Sequence, residues 1–242
     1  MPSHPHVLIT GGSRGIGLAI AHHFARASYG CTLVSRTPAT LKAAVSSLPG
    51  AQHTSITGDV TDPSFWTPSG IGASLPPSDR ISVLVNCAGI TQSSLFVKTE
   101  PERIQEIVDT NLTSMMIGTR YLLRKGYFGR EGNRTIVNIA SLLGTHGGHG
   151  AVAYAASKAG VLGFTRALAA ETGRQGIRVN AVVPGYVETD MVKGLDHASL
   201  SQRIPLGRFA RPEEIASAAL FLAQNEYAHN CVINLDGGLS AV

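Results

Sequence analysis

The sequence predicts an α/β protein in which one doubly wound parallel sheet is covered by helices on both faces. Three observations carry that prediction. Short runs rich in β-branched residues recur along the whole chain, they are apolar at nearly every position, and segments of helical period separate them. A strand covered on one face alternates polar and apolar residues, whereas one covered on both faces reads as a continuous apolar run. Regular strand–helix alternation, with no repeat and no linker-like stretch, argues a single domain over residues 1–242.

The strands are HVLIT (6–10), CTLVS (31–35), the weaker HTSIT (53–57), ISVLVN (81–86), TIVNIA (135–140), IRVNAVV (177–183) and CVINLD (231–236). Ile16, Ile20 and Phe24 recur at a spacing of four and mark one buried face of a helix over 16–28. Pro38 behind Thr37 starts a helix over 38–48, because the first turn has no use for the N–H that proline lacks. A crossover helix is due in 62–80. Pro63, Pro68, Pro76 and Pro77 break any long one, so a short or broken helix followed by loop is expected. Thr99 stands three residues before Glu102, with Pro101 between them, which predicts a capping box opening the next helix. Helices over 151–172 and 212–223 complete the set. The small, apolar tail from Leu235 to Val242 reads as a buried interface element.

Composition narrows the function. Hydrophobic residues make up 43% and charged residues 15%, enough apolar surface for a folded core. No apolar run approaches a membrane span, and no membrane association is expected. Cys31, Cys87 and Cys231 are scattered and odd in number, which suggests free thiols in a reducing compartment. His146 and His149 lie three apart in a glycine-rich loop with no third ligand near, so no metal site is read. The net charge of +4 sits entirely in residues 1–58, which hold Arg14, Arg26, Arg36 and Lys42 and no Asp or Glu. Nucleic-acid binders carry dense basic stripes with interleaved aromatics instead, and no nucleic-acid partner is expected.

The chemistry-bearing residues begin at the first strand's end. TGGSRGIG (10–17) holds Gly11, Gly15 and Gly17 around Ser13, Arg14 and Ile16. A glycine turn between strand and helix lets backbone N–H groups and the helix N-terminus approach a pyrophosphate. The second strand ends at Arg36, nineteen residues past Gly17. An acid there would hold a ribose 2′-OH, whereas a cation suits a 2′-phosphate. With Arg14 as a second guanidinium and no acid nearby in sequence, the cofactor expected is NADP(H). AYAASKAG (153–160) then carries Tyr154 and Lys158 four apart on one helical face. An ammonium beside a phenol of ordinary pKa about 10 favours the phenolate.

In order and at these separations, the residues resemble the short-chain dehydrogenase/reductases, from about Val7 to Gly238. The resemblance implies a Rossmann-type sheet and assigns roles. Gly11, Gly15 and Gly17 match the cofactor loop, Asp59 and Val60 the adenine-side pair, and Asn86, Ala88 and Gly89 the asparagine–alanine–glycine segment. Cys87 stands where the family has a further asparagine. Pro184, Gly185, Val187 and Thr189 match the nicotinamide-side loop. Asn111, Ser141, Tyr154 and Lys158 match the catalytic set, with Tyr154 as general acid, Ser141 polarising the substrate oxygen and Lys158 also holding the nicotinamide ribose. Asn111 resembles the residue anchoring a water between the lysine and bulk solvent.

Three further stretches, VPGYVETDM (183–191), IPLGRF (204–209) and LDGGL (235–239), resemble the 3-oxoacyl-[acyl-carrier-protein] reductases and the related mitochondrial carbonyl reductases. That implies NADPH-dependent reduction of a 3-oxoacyl thioester in fatty-acid synthesis. Arg120, Arg124, Lys125, Arg130 and Arg174 would then steer an acidic acyl-carrier protein. A homotetramer, or a hetero-oligomer with a related reductase, is implied as well. Two alternatives stay open: a carbonyl or quinone reductase of another substrate class, and a weakly active cofactor-binding subunit. The acid-free first 58 residues share part of a transit peptide's composition. The first strand begins by about His6, so no removable leader is expected. A mitochondrial matrix address within the Ile16–Arg26 helix is expected, with the cytoplasm as the alternative.

Overall fold

All seven strands lie parallel in one sheet, in the order β3-β2-β1-β4-β5-β6-β7. A computed structural model describes residues 5–75, 81–129 and 132–241. The strands are β1 (His6–Thr10), β2 (Gly30–Ser35), β3 (His53–Thr57), β4 (Val83–Asn86), β5 (Arg134–Ile139), β6 (Ile177–Pro184) and β7 (Val232–Leu235). The helices are α1 (Gly15–Arg26), α2 (Pro38–Ser47), α3 (Pro101–Val108), α4 (Ser114–Arg124), α5 (Leu143–His146), α6 (Val152–Thr172), α7 (His197–Gln202) and α8 (Pro212–Gln224).

Alternation along β1 divides the core. Val7 and Ile9 face a cluster built with Ile20 and Phe24 of α1, Leu41 of α2 and Ile215 and Leu222 of α8. Leu8 faces the other cluster, with Leu84, Ile136, Tyr121 and Leu122. Both sides of the central strands are buried, which is why the strand runs carry no alternation. The two edge strands are the exceptions: only Ile56 of HTSIT is buried in β3, and no residue of β7 is fully buried.

The segment after β3 forms two 3-10 turns, Pro63–Phe65 and Ile71–Ala73, as its prolines lead one to expect; residues 76–80 fall outside the described residues. Bulk replaces the missing helix. Phe65, Trp66 and Ile71 are buried, and the Trp66 ring packs where a Cβ on Gly118 of α4 would stand, 2.5 Å from Cζ2. The expected capping box at Thr99 does not form. Glu100 is the N-cap of α3, while the Thr99 hydroxyl donates to the Leu95 carbonyl at 2.9 Å. The tail read as a buried interface element is half-buried from Asp236 to Ser240 in the single chain.

One buried cation belongs to the framework. Arg178 of β6 donates to the carbonyls of Leu222 and Ala223 at 2.8 Å each and of Ala228 at 2.6 Å. Its guanidinium thus closes the C-terminal end of α8, where unpaired carbonyls and the helix dipole favour positive charge.

Candidate active site

The strand order reverses between β1 and β4, and in open α/β sheets ligands sit beyond the strand C-termini at that point. The loops after β1 and β4 meet there face to face. Thr10 Oγ accepts from the N–H groups of Cys87 and Ala88, at 3.2 and 3.3 Å. A Cβ on Gly11, whose φ is +69°, would lie 2.8 Å from the Ala88 backbone; one on Gly17 would lie 2.2 Å from the Gly11 carbonyl oxygen. Only glycine lets α1 start directly against the loop. The first turn of α1 holds no acid, and Arg14 at its N-cap provides no side-chain cap. That leaves an anion-friendly terminus. Across the opening, Thr189 Cγ2 would stand 3.2 Å from a Cβ on Gly15. The crevice between the loops is lined by Thr10, Val60, Asn86, Ala88, Asn111 and Ile139.

The two cations read from the sequence both have acidic partners here. Asp59, delivered by the end of β3, places Oδ2 3.8 Å from Arg36 Nη1, and Asp190 places Oδ2 3.5 Å from Arg14 Nη1. Partial burial raises the Asp59 carboxyl, but hydrogen bonds from the Thr61 backbone and hydroxyl together with Arg36 outweigh it and leave its pKa below the ordinary value. Ser13 donates to Ser35 at 2.9 Å and ties the glycine loop to β2.

Tyr154 and Lys158 fall on the buried stripe of α6, which continues through Val161, Thr165, Ala169 and Thr172 at helical spacing. Tyr154 is 8% exposed and Lys158 5%. Lys158 Nζ donates to the Ile139 carbonyl at 2.8 Å and sits 5.8 Å from the Tyr154 ring centroid. Burial depresses the Lys158 ammonium to about 8, with the Cys87 thiol acting weakly in the opposite sense. The expected lowering of the phenol is not found. Burial raises Tyr154, the nearby Ser141 hydroxyl lowers it only in part, and Cys87 adds to the rise. A group this deep in protein resists either charge, so both members of the pair are pushed toward neutrality. Cys87 itself is pushed up to about 11 by burial and is an inert thiol.

Three predicted side chains are committed to the framework. Asn86 donates to Asn138 at 2.9 Å and Thr119 at 3.2 Å, joining β4 to β5 and α4. Asn111 lies in a π turn, Asp109–Thr113, between α3 and α4. It accepts from the Ile90 N–H at 2.8 Å and donates to the Ile90 carbonyl and to Ser157, at 3.0 Å each. It therefore anchors the loop after Gly89. Val187 is buried in the core, so only its backbone can face the opening. Pro184 ends β6, and Gly185 lies where a Cβ would be 2.8 Å from the Asp236 backbone.

His146 and His149 are exposed, and among the described residues no group of three or more His, Cys, Asp or Glu is placed to hold a metal. Arg120, Arg124, Lys125 and Arg174 are exposed; Arg130 lies outside the described residues. No helix among the described residues is long and apolar enough to cross a membrane. Sequence reasoning missed Thr10 and Thr61 as site residues. A hydroxyl at a strand end before a glycine turn, or two residues past an acid, is the signal for each.

The chain belongs to the short chain dehydrogenase family, whose profile matches residues 5–199. It is an oxidoreductase with a fold that binds a nicotinamide cofactor. It is 38% identical over 234 residues to the human 3-oxoacyl-[acyl-carrier-protein] reductase, covering 97% of each chain. It is 40% identical over 233 residues to carbonyl reductase family member 4 of Xenopus laevis, with 96% of each covered. Among solved structures, a protein assigned as a gluconate dehydrogenase from Agrobacterium tumefaciens superposes with a TM-score of 0.87 at 29% identity, over 99% of this chain and 97% of that one.

Proposed function

We propose that the protein reduces 3-oxoacyl groups carried as thioesters on acyl-carrier protein to the 3-hydroxyacyl product, with NADPH as cofactor. The observation that carries this reading is the buried Tyr154–Lys158 pair beside Ser141, at the C-terminal edge of the sheet. The names of the bacterial and vertebrate relatives support the substrate class.

The glycine loop with Ser13, Arg14 and Ile16, then Asp59, Ala88, Gly89, Gly185 and Thr189, would hold the cofactor. Arg36 would face a 2′-phosphate, and its exposed ion pair with Asp59 is weak enough to yield to one. When bound, the nicotinamide supplies the hydride. The alkoxide left on the substrate needs a proton, and Tyr154 Oη, kept neutral by burial, holds one. The Ser141 hydroxyl would orient and polarise the same oxygen. Lys158 donates to Ile139 below the phenol and keeps positive charge within reach as the phenolate forms. The exposed cations Arg120, Arg124, Lys125 and Arg174 are the candidates for attracting an acidic carrier protein.

The test is turnover of an acyl-carrier-protein thioester with NADPH, by the wild type and by Tyr154→Phe. The variant should lose at least about 100-fold in kcat, the lower end for a missing general acid, and bind NADPH as the wild type does. A variant retaining more than a few per cent of activity would put the proton donor elsewhere. A wild type inactive on the thioester but active on a free ketone or quinone would reassign the substrate.

A further inference from the structure

We propose that Gln92 is a positioning residue: from the loop after β4, it caps the N-terminus of α6 and fixes where Tyr154 stands. This rests on the reading of Tyr154 as proton donor.

A helix leaves its first N–H groups without partners inside the helix, and a side chain just before it normally accepts from them. The helix that carries Tyr154 has no such residue. Its N-cap is Ala151, with no side-chain hydrogen bond, and the chain enters through Gly147, Gly148 and Gly150. Two of these glycines have positive φ, +71° at Gly147 and +72° at Gly150, so the approach itself restrains little.

The missing acceptor comes from 61 residues upstream. Gln92 Oε1 accepts from the N–H of Ala153 at 2.8 Å and from that of Tyr154 at 3.2 Å. Gln92 is 6% exposed, so water does not easily replace it. Its orientation follows from its other contacts. Nε2 donates to the Ser94 carbonyl at 3.2 Å and to Thr99 Oγ1 at 3.0 Å. A flipped amide would set NH2 against two N–H donors and a carbonyl oxygen against the Ser94 carbonyl, and could keep a bond only if the Thr99 hydroxyl turned away from Leu95. The Thr99 hydroxyl proton goes to the Leu95 carbonyl, which leaves its oxygen free to accept from Gln92. The Ser94 N–H also donates to the Gly150 carbonyl at 3.2 Å, so loop and helix entry are tied side by side.

The position of Gln92 gives the tie a consequence. The segment that holds it begins at Cys87 and Ala88, bonded to Thr10 of the glycine-loop strand, and continues through Ile90, clamped on both sides by Asn111. One stretch of backbone thus meets the cofactor loop, the π turn and, through Gln92, the peptide N–H of Tyr154 itself. Tyr154 is located relative to this loop as well as to the rest of α6. A side chain whose oxygen must meet a substrate oxygen at hydrogen-bond distance is sensitive to shifts of about 1 Å.

The test compares Gln92→Leu, which removes the acceptor, with Gln92→Glu, which gives up the bonds to Ser94 and Thr99 but keeps an oxygen toward the two N–H groups and adds a charge that the N-terminus of α6 favours. Amide exchange at Ala153 and Tyr154 should quicken about tenfold in Gln92→Leu, as for a lost N-terminal cap, and stay near wild type in Gln92→Glu. In the same proteins kcat on the thioester should fall about tenfold for Gln92→Leu and be largely rescued by Gln92→Glu, with KM for NADPH within about twofold throughout. Unchanged exchange in Gln92→Leu, or equal loss of protection in both variants, overturns the cap. Faster exchange with unchanged kcat overturns the positioning role. If wild type does not turn over the thioester, the proposed substrate fails, while the exchange rates still decide the cap. Should Gln92→Leu not fold, Gln92→Met takes its place, matching the side-chain length without a strong acceptor.

Discussion

Replacing Lys158 by Met should remove activity and change how stability depends on pH. Burial lowers the Lys158 ammonium from 10.5 to about 8. The folded pKa is therefore below the unfolded one, and between pH 8 and 10.5 the unfolded chain binds more protons. Stability rises with pH across that window, and at and below pH 8 the folded state carries the whole penalty. A shift of this size corresponds to about 3 kcal/mol at neutral pH. Methionine fills similar volume without the charge, but it leaves the Ile139 carbonyl without its donor, at a cost of about 1–3 kcal/mol. The two effects nearly offset at pH 7, so the informative quantity is the difference between variant and wild type as a function of pH. That difference should move by about 3 kcal/mol toward the wild type between pH 7 and 10.5, or about 6–12 °C in Tm for a chain of this length. Thermal unfolding of both proteins in a series of buffers measures it, and the subtraction cancels the titrating groups that do not interact with Lys158, which leaves the Cys87 thiol, at about 11, outside the window. A difference that stays flat to within about 1 kcal/mol over that range would mean that Lys158 keeps an ordinary pKa in the folded protein.

Arg36→Asp should weaken NADPH binding by about 2–3 kcal/mol, since a charge-assisted contact is lost and a like charge is set beside Asp59. NADH should be affected far less; titration calorimetry with both cofactors checks this, and equal losses would make Arg36 structural. Arg178→Leu should cost about 1–3 kcal/mol by leaving the buried Leu222 carbonyl unpaired, while the carbonyls of Ala223 and Ala228 keep their bonds from Asn133 and Asn180. A denaturant midpoint equal to that of the wild type would mean that α8 ends stably without the guanidinium.

Most of the sheet is legible in the sequence because burial on both faces leaves a signal at every residue of a strand. β1, β3 and the body of β6 match the predicted runs, and the others shift by one or two residues. β4 starts at Val83 instead of 81 because Ile81 bridges to Phe128, away from the main ladder. The misses share one cause. Thr99 has the right neighbours for a capping box, but its hydroxyl is used by Leu95, Gln92 and Ser94, an arrangement set by how the loop folds back. Phe65, Trp66 and Ile71 have no period because they fill a space whose shape is set by Gly58 and Gly118.

The same distinction divides the candidate site. Tyr154 and Lys158 could be read because their spacing lies within one helix, and the glycines because the loop is local. The bonds that Asn86 makes could not be read from type and place alone. Its side chain meets Asn138 only because β4 and β5 pair in the register that sets the two residues opposite each other. Nor could the charges. The first 58 residues have no acid, and from sequence Arg14 and Arg36 look unopposed, yet Asp190 and Asp59 stand beside them once the sheet is assembled. Both pairs are exposed, with separations above 3 Å, and such pairs contribute little. Exposure keeps those guanidiniums available to a phosphate. The deep groups behave oppositely: Lys158, Asn111 and Gln92 are held by several hydrogen bonds or by burial, and the precision of the candidate site rests on them.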